Sequence, residues 1–253
     1  MNEKQLLSMW RFEENFPFGG WDFSHLDGRW QSEALPWDYE EEVRKILRYE
    51  HRLLELDAGG GDFLLSLRHP YEQTAVTEYN WPDYVACMRE LAPLGVRVER
   101  CNVDQEDLPF SDNSFDVVLC RHGGYQRDEL YRVLRPGGLF LTEQVGCRNN
   151  RALAKRLLPD FEPAFPEHDL RRAAEAFRNA GFTLLRGEEY FPKLRFFDIG
   201  ALVYFAGVVP WEFPDFSVDG CQAELLCLQR ELEERGSVDS LQHLFLLIAQ
   251  KNG

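Results

Sequence analysis

From residue 51 onward, short apolar runs alternate with amphipathic segments, which is the pattern of a largely parallel sheet covered by helices. HRLLELD (51–57) predicts a first buried strand and GDFLLSLRH (61–69) the helix after it. QTAVTE (73–78) predicts a second strand, followed by a helix over PDYVACMREL whose Pro82 suits a first turn. VRVERCNV (96–103) and SFDVVLC (114–120) read as the third and fourth strands. RDELYRVL (127–134) has helical spacing and is expected to stop at Pro136, Gly137 and Gly138, with LFLTEQV (139–145) as the fifth strand. Helices are expected at 149–158 and 168–180, a sixth strand at 182–190 and a last one at 243–251.

Two regions break the alternation. Residues 1–50 are rich in aromatics: Trp10, Phe12, Phe16, Phe18, Trp21, Phe23, Trp30, Trp37 and Tyr39. The stretch between the sixth and last strands is too apolar for a simple linker and holds Phe196, Phe197, Tyr204, Phe205, Trp211 and Phe213. The expected organisation is an N-terminal helical, aromatic cap segment over 1–50 and a main domain over 51–253 with a cap insertion at about 191–240. Both appendages are expected to fold over the sheet as a lid, their aromatics either lining a pocket or packing a helical core. FFDIGALVYFAGVVPW (196–211) is interrupted by Asp198, Gly200, Gly207 and Pro210. It is shorter than the roughly 20 residues a bilayer requires, so it is expected to be buried in protein.

The 253 residues carry 28 basic and 43 acidic side chains, a formal net charge of -15. Such a surface repels phosphate backbones and disfavours a nucleic-acid partner. The six cysteines, Cys87, Cys101, Cys120, Cys147, Cys221 and Cys227, form no C-x-x-C pair, and several lie in apolar runs where a free thiol packs as a small hydrophobe. The N-terminus MNEKQLLSMWRFEENF has scattered acids and no apolar core of a secretory signal. The expected setting is a reducing cytoplasm.

Chemistry concentrates in LLELDAGGGDFLL (53–65), an apolar strand that ends in two carboxylates and three consecutive glycines. In an open parallel sheet, ligands bind beyond the carboxyl ends of the strands, and a glycine turn lets the backbone approach them. Glu78 ends the second strand seventeen residues after Gly61, where a carboxylate can accept from both hydroxyls of a ribose. With DQEDLPF (104–110), SFDVVLC (114–120) and VLRPGG (133–138), these motifs stand in the order found in one family. The chain resembles the class I S-adenosylmethionine-dependent methyltransferases over roughly residues 50–146.

That resemblance implies a Rossmann-like α/β fold, a seven-stranded sheet with the last strand antiparallel and helices on both faces. It implies S-adenosyl-L-methionine as cofactor and S-adenosyl-L-homocysteine as product. Glu55 would organise the loop and the methionine amino group, with Ala58, Gly59 and Gly61 bringing the backbone close. Glu78 would bind the ribose beside Tyr79. Asp104 would accept from the adenine amine while the Gln105 N–H donates to the ring, and the backbone near Arg121 would run along the methionine portion. One position departs from the family: Asp57 stands where a glycine is usual, where its carboxylate can face the cofactor's positive charge.

A nicotinamide fold requires G-x-G-x-x-G and a phosphate-cradling nucleotide loop G-x-x-x-x-G-K-[ST], and neither occurs. Methyl transfer needs an aligned nucleophile and exclusion of water, and a base only where the acceptor must lose a proton. His122, after the fourth strand, is the candidate catalytic group, read either as a base or as a histidine hydrogen-bonded in a turn. Arg121 either binds an acidic group of the acceptor or pairs with a surface carboxylate, and Gln144 is expected to point its amide into the same crevice. The remaining histidines show no ligand spacing, so no metal is expected. The expected function is methylation of a small molecule, with no membrane association. An RNA-modifying methyltransferase and a non-catalytic cofactor-binding protein of the same fold are the alternatives.

Overall fold

The computed structural model describes residues 1–19 and 22–253, so Trp21 lies outside the described residues. Along the chain run α1 (Glu3–Glu14), β1 (Trp30–Ser32), α2 (Tyr39–Ile46), β2 (Leu53–Leu56), α3 (Asp62–Leu67), β3 (Thr74–Thr77), α4 (Trp81–Glu90) and β4 (Arg97–Glu99). They continue with β5 (Phe115–Arg121), α5 (Arg127–Val133), β6 (Leu134–Val145), α6 (Arg151–Leu157), α7 (Leu170–Asn179) and β7 (Phe182–Tyr190). The chain closes with β8 (Lys193–Phe196), α8 (Ile199–Val208), α9 (Gln222–Arg235), β9 (Val238–Leu241) and β10 (Leu244–Lys251). It divides into two compact units.

The larger unit comprises Pro36–Val145, Asp169–Glu189 and Phe245–Gly253. Its sheet has the order β4-β3-β2-β5-β6-β10-β7, with β2 parallel to β3 and β5, and the last strand antiparallel, as the family resemblance implied. Leu54, Leu56, Val118, Phe140 and Leu247 are 0–1% exposed. Strands covered on both faces read as continuous apolar runs, which is why the sequence pattern revealed them. Asn80 caps α4 by accepting from the Asp83 N–H, and Pro82 sits in the first turn without a donor to lose.

Two elements differ from expectation. The third strand is only Arg97–Glu99, an edge segment, because the chain turns away at Asn102. Helix α5 ends at Val133, and β6 already begins at Leu134. Pro136, Gly137 and Gly138 therefore lie inside the strand. Phe115 pairs with Leu134 and Val117 with Leu139, so these residues form a bulge where a proline without an N–H is tolerated.

The smaller unit comprises Met1–Leu35, Gly146–His168 and Tyr190–Leu244. Its antiparallel sheet β1-β8-β9 matches Trp30 to Phe196 and Phe196 to Val238. Helix α8 is capped at its N-terminus by Asp198, whose Oδ1 accepts from the Ala201 N–H at 2.7 Å. Ile199 through Ala206 are buried on every side, which accounts for a helix with no polar stripe. No helix among the described residues is long and apolar enough to cross a membrane. Trp10, Phe196, Tyr204, Phe205 and Phe213 are buried in this unit's core, whereas Phe197 and Trp211 are 40% and 41% exposed. Trp37 and Tyr39 belong to the larger unit and are buried there.

Candidate functional site

The strand order reverses between β2, which continues to β3 on one side, and β5 on the other. Leu56 pairs with Cys120, so the segments leaving β2 and β5 run side by side beyond the sheet. This is the switch-point crevice where open α/β sheets bind ligands.

The glycine loop is held by its neighbours. Ala58 donates its N–H to Thr77 O at 3.2 Å, and Gly61 donates to Ala58 O at 3.1 Å. Gly59 and Gly61 have φ of +57° and +87°, conformations costly for residues with a β-carbon. A β-carbon on Gly61 would also stand 2.7 Å from Leu91 Cδ1, so the glycine lets α3 begin close against the end of α4.

Glu55 and Glu78 flank this loop from β2 and the end of β3. Gly59 donates its N–H to Glu78 Oε2 and Asn80 donates to Oε1, each at 2.9 Å. Glu78 is 5% exposed, and burial raises its pKa above the usual carboxylate value against these two donors. Glu55 is 4% exposed, and its Oε2 has no hydrogen-bond partner. Burial pushes its pKa up to about 8, with the Arg121 cation opposing.

Asp57 has φ +50°, an uncommon backbone state that aspartate tolerates better than most residues. Its Oδ2 accepts from the Gly124 N–H at 3.3 Å, joining the first loop to the turn after β5. Burial, Glu78 and Asp104 together push its pKa to about 7 against the Gly124 bond. Gly123 and Gly124 are bare where they meet it: a β-carbon on Gly123 would stand 2.7 Å from Asp57 Oδ2, and one on Gly124 would fall on the Asp104 carboxylate. The carboxylates of Asp57 and Asp104 thus lie against one turn.

Asn102 organises the segment after β4 through its Oδ1, which accepts from the Asp104 N–H at 3.3 Å. The Gln105 N–H donates to Asn102 O at 3.0 Å, so contact with an adenine requires this turn to share that donor. Tyr79 is 49% exposed and lies under the Arg100 guanidinium, 5.2 Å from its ring centre.

Beyond β5 and β6 lies a cluster that sequence reasoning did not assemble. Glu143 is 1% exposed and pairs in register with Arg121. Its Oε1 accepts from Arg121 Nε at 3.0 Å and its Oε2 from Trp37 Nε1 at 2.7 Å. His122 has φ +60°, donates its N–H to Glu143 O at 2.9 Å and holds Nε2 3.4 Å from Glu143 Oε1. Crowding by surrounding protein lowers its imidazole pKa to about 4, with Glu143 opposing and Arg121 adding to the shift. The ring is therefore neutral at neutral pH. Tyr39 lies with Arg121 Cζ 5.2 Å from its ring centre and the Phe63 ring tilted by 47° at a centre distance of 5.3 Å, and its buried hydroxyl has no hydrogen-bond partner. Gln144 spends its amide on Gly123 O and Thr142 Oγ1, fixing the turn rather than pointing into the crevice as expected. The run Thr142, Glu143, Gln144 at the end of an otherwise apolar strand is the sequence signal for this cluster.

Residues 54–142 match the family described as Methyltransferase domain. The ubiquinone/menaquinone biosynthesis C-methyltransferase UbiE of Pseudomonas fluorescens is 31% identical over 121 residues, 43% of this chain and 47% of the relative. The fatty-acid O-methyltransferase of Mycolicibacterium smegmatis is 30% identical over 148 residues, 54% of this chain and 50% of the relative. The chain thus spans about half the length of these curated relatives. The crystal structure of the YcgJ protein from Bacillus subtilis superimposes with a TM-score of 0.55 at 18% identity, covering 84% of this chain and 97% of that one, a likeness of fold. The glycine loop, the strand-end acids and the reversal between β2 and β5 thus fall in the part of the chain that is similar to the methyltransferase domain family.

Proposed function

We propose that this protein is an S-adenosylmethionine-dependent methyltransferase that acts on a small molecule by in-line methyl transfer. The observation that carries this reading is the buried, unpartnered Glu55 carboxyl beside a glycine loop whose Gly59 N–H aims Glu78 at the same crevice. An orphaned buried acid calls for a donor, and an ammonium is the donor that suits it. When bound, the cofactor supplies an electrophilic methyl on a sulfonium whose departing thioether is neutral.

The chain's residues divide the remaining work. Glu55 accepts from the amino group, and Glu78 keeps lone pairs for the ribose hydroxyls beyond those its two backbone donors occupy. Asp104 offers its carboxylate to the adenine amine, with Gln105 and Tyr79 beside it. Ala58, Gly59 and Gly61 present main chain, and the backbone of Arg121 borders the methionine portion. Asp57 places a further acid at the turn after β5, where it favours a cationic ligand over a neutral one. His122, neutral at neutral pH, receives a proton from acceptors that must lose one. Its depressed basicity leaves alignment of the acceptor as the larger part of catalysis.

The net charge of -15 works against an RNA substrate. A non-catalytic cofactor-binding protein is favoured by one observation, the Asp57 contact that ties the glycine loop to Gly124. Titration calorimetry with S-adenosylmethionine and S-adenosylhomocysteine tests binding, and a screen of quinols, fatty acids and other small acceptors with radiolabelled cofactor tests transfer. Micromolar binding with transfer to an acceptor is expected, near -8 kcal/mol for the binding step at about 1 μM. Absence of heat with both compounds overturns the reading, and binding without transfer to any acceptor selects the non-catalytic alternative.

A further inference from the structure

We propose that Arg121 is a carboxylate-binding residue of the crevice, presenting the Nη edge of its guanidinium to an acid group of a bound ligand. This rests on the methyltransferase reading above and names a chemical group that the ligand must carry there. Arginine has five N–H donors, and here Nε–H alone is committed, to Glu143 Oε1 at 3.0 Å. Neither Nη donates to any acceptor among the described residues, and the side chain is 46% exposed.

The guanidinium is also held in place. Glu143 is buried and fixed on its far side by Trp37 Nε1, and the Tyr39 ring lies 5.2 Å from Arg121 Cζ. A long side chain restrained at Nε and on one face has already lost much of the freedom that binding would cost it, and its remaining planar edge matches the two oxygens of a carboxylate. The acids around it do not forbid an anion. Glu55 and Asp57 hold their protons more tightly than ordinary carboxyls, and the charge of Glu143 is already matched by Arg121. An ordinary surface ion pair would leave the guanidinium edge on a partner carboxylate rather than turned outward from a buried one.

Two ligands bring a carboxylate to a methyltransferase crevice: the amino-acid portion of the cofactor, and an acceptor with an acid group. Calorimetry on wild type, Arg121→Gln and Arg121→Lys separates them. The glutamine retains a donor for Glu143 and the lysine retains the charge, so either can leave the fold intact, as thermal melts will check. S-adenosylhomocysteine is compared with 5′-methylthioadenosine, which lacks the amino-acid portion. Decanoate is compared with decanol on protein saturated with S-adenosylhomocysteine.

If the carboxylate is the cofactor's, Arg121→Gln weakens S-adenosylhomocysteine at least tenfold and leaves 5′-methylthioadenosine unchanged, with Arg121→Lys between. If it is the acceptor's, S-adenosylhomocysteine is unaffected, while decanoate binds wild type and is lost from Arg121→Gln, with decanol insensitive. The inference is overturned if wild type binds S-adenosylhomocysteine and Arg121→Gln changes neither carboxylate, or weakens 5′-methylthioadenosine equally. A wild type that binds neither nucleoside compound overturns the methyltransferase reading together with this one.

Discussion

Glu55 sets the stability of the protein against its chemistry. Its carboxyl ionises near 4.5 in an unfolded chain and near 8 in the fold, because burial strips its solvation. Between those values the folded protein holds a proton that the unfolded chain releases, so stability falls as pH rises from about 4.5 to about 8. Replacing Glu55 with Gln removes that dependence. The variant is expected to melt about 4 °C higher than wild type at pH 8, on the order of 1–2 kcal/mol, and nearly equally at pH 4, while binding S-adenosylhomocysteine more weakly. A melting difference independent of pH would count against the assignment. Glu78 and His122 are expected to part company in the same way. Glu78→Ala should weaken S-adenosylhomocysteine by about 30-fold or more through lost charge-assisted bonds, whereas His122→Ala should stay within about threefold and act on turnover. Calorimetry and single-turnover rates on the two variants check this, and equal losses of affinity would contradict it.

At the scale of elements, the crevice depends on how closely α3 can start behind β2. Gly61 has φ +87° and a β-carbon there would meet Leu91 at the end of α4, so both conformation and space exclude a side chain. Gly61→Ala is expected to destabilise the fold by about 1–3 kcal/mol, read as a lowered denaturation midpoint. The existence of β2, β3, β5 and their helices was legible because each is set by a few consecutive residues: an apolar run, a cap, a turn glycine. The ends were less so. Pro136 and the two following glycines look like a helix stop in sequence, yet α5 has already ended at Val133 and they form a bulge in β6. Likewise VRVERCNV carries strand-like residues to position 103, but the ladder stops at Glu99, where the chain turns off at Asn102 to carry Asp104 to Gly124. Local preference does not determine where a neighbouring strand ceases to offer hydrogen bonds.

Across the whole molecule, composition sets a net charge of -15, while burial decides the reactivity of the thiols. All six cysteines are free thiols; Cys87, Cys101, Cys120 and Cys221 are buried, Cys147 is half-buried and Cys227 exposed. Burial raises the thiol pKa of Cys87 to about 12 and of Cys101 to about 11, so neither offers thiolate at neutral pH. A thiol-reactive dye is therefore expected to label at most two cysteines rapidly in native protein and six in denaturant; rapid labelling of four or more would contradict the burial pattern. By itself the sequence determined the central sheet, the glycine loop and its flanking acids, since periodicity and turn chemistry are written in neighbouring residues. The tertiary structure alone decided that Gly146–His168 joins the smaller unit, and that Gln144 turns its amide to Gly123. It alone also brought Trp37, 106 positions away in sequence, to Glu143, and through that carboxylate set Arg121 at the crevice. The reason is physical: a buried carboxylate must find its donors wherever the packed chain delivers them, and no local pattern encodes which distant residue that will be.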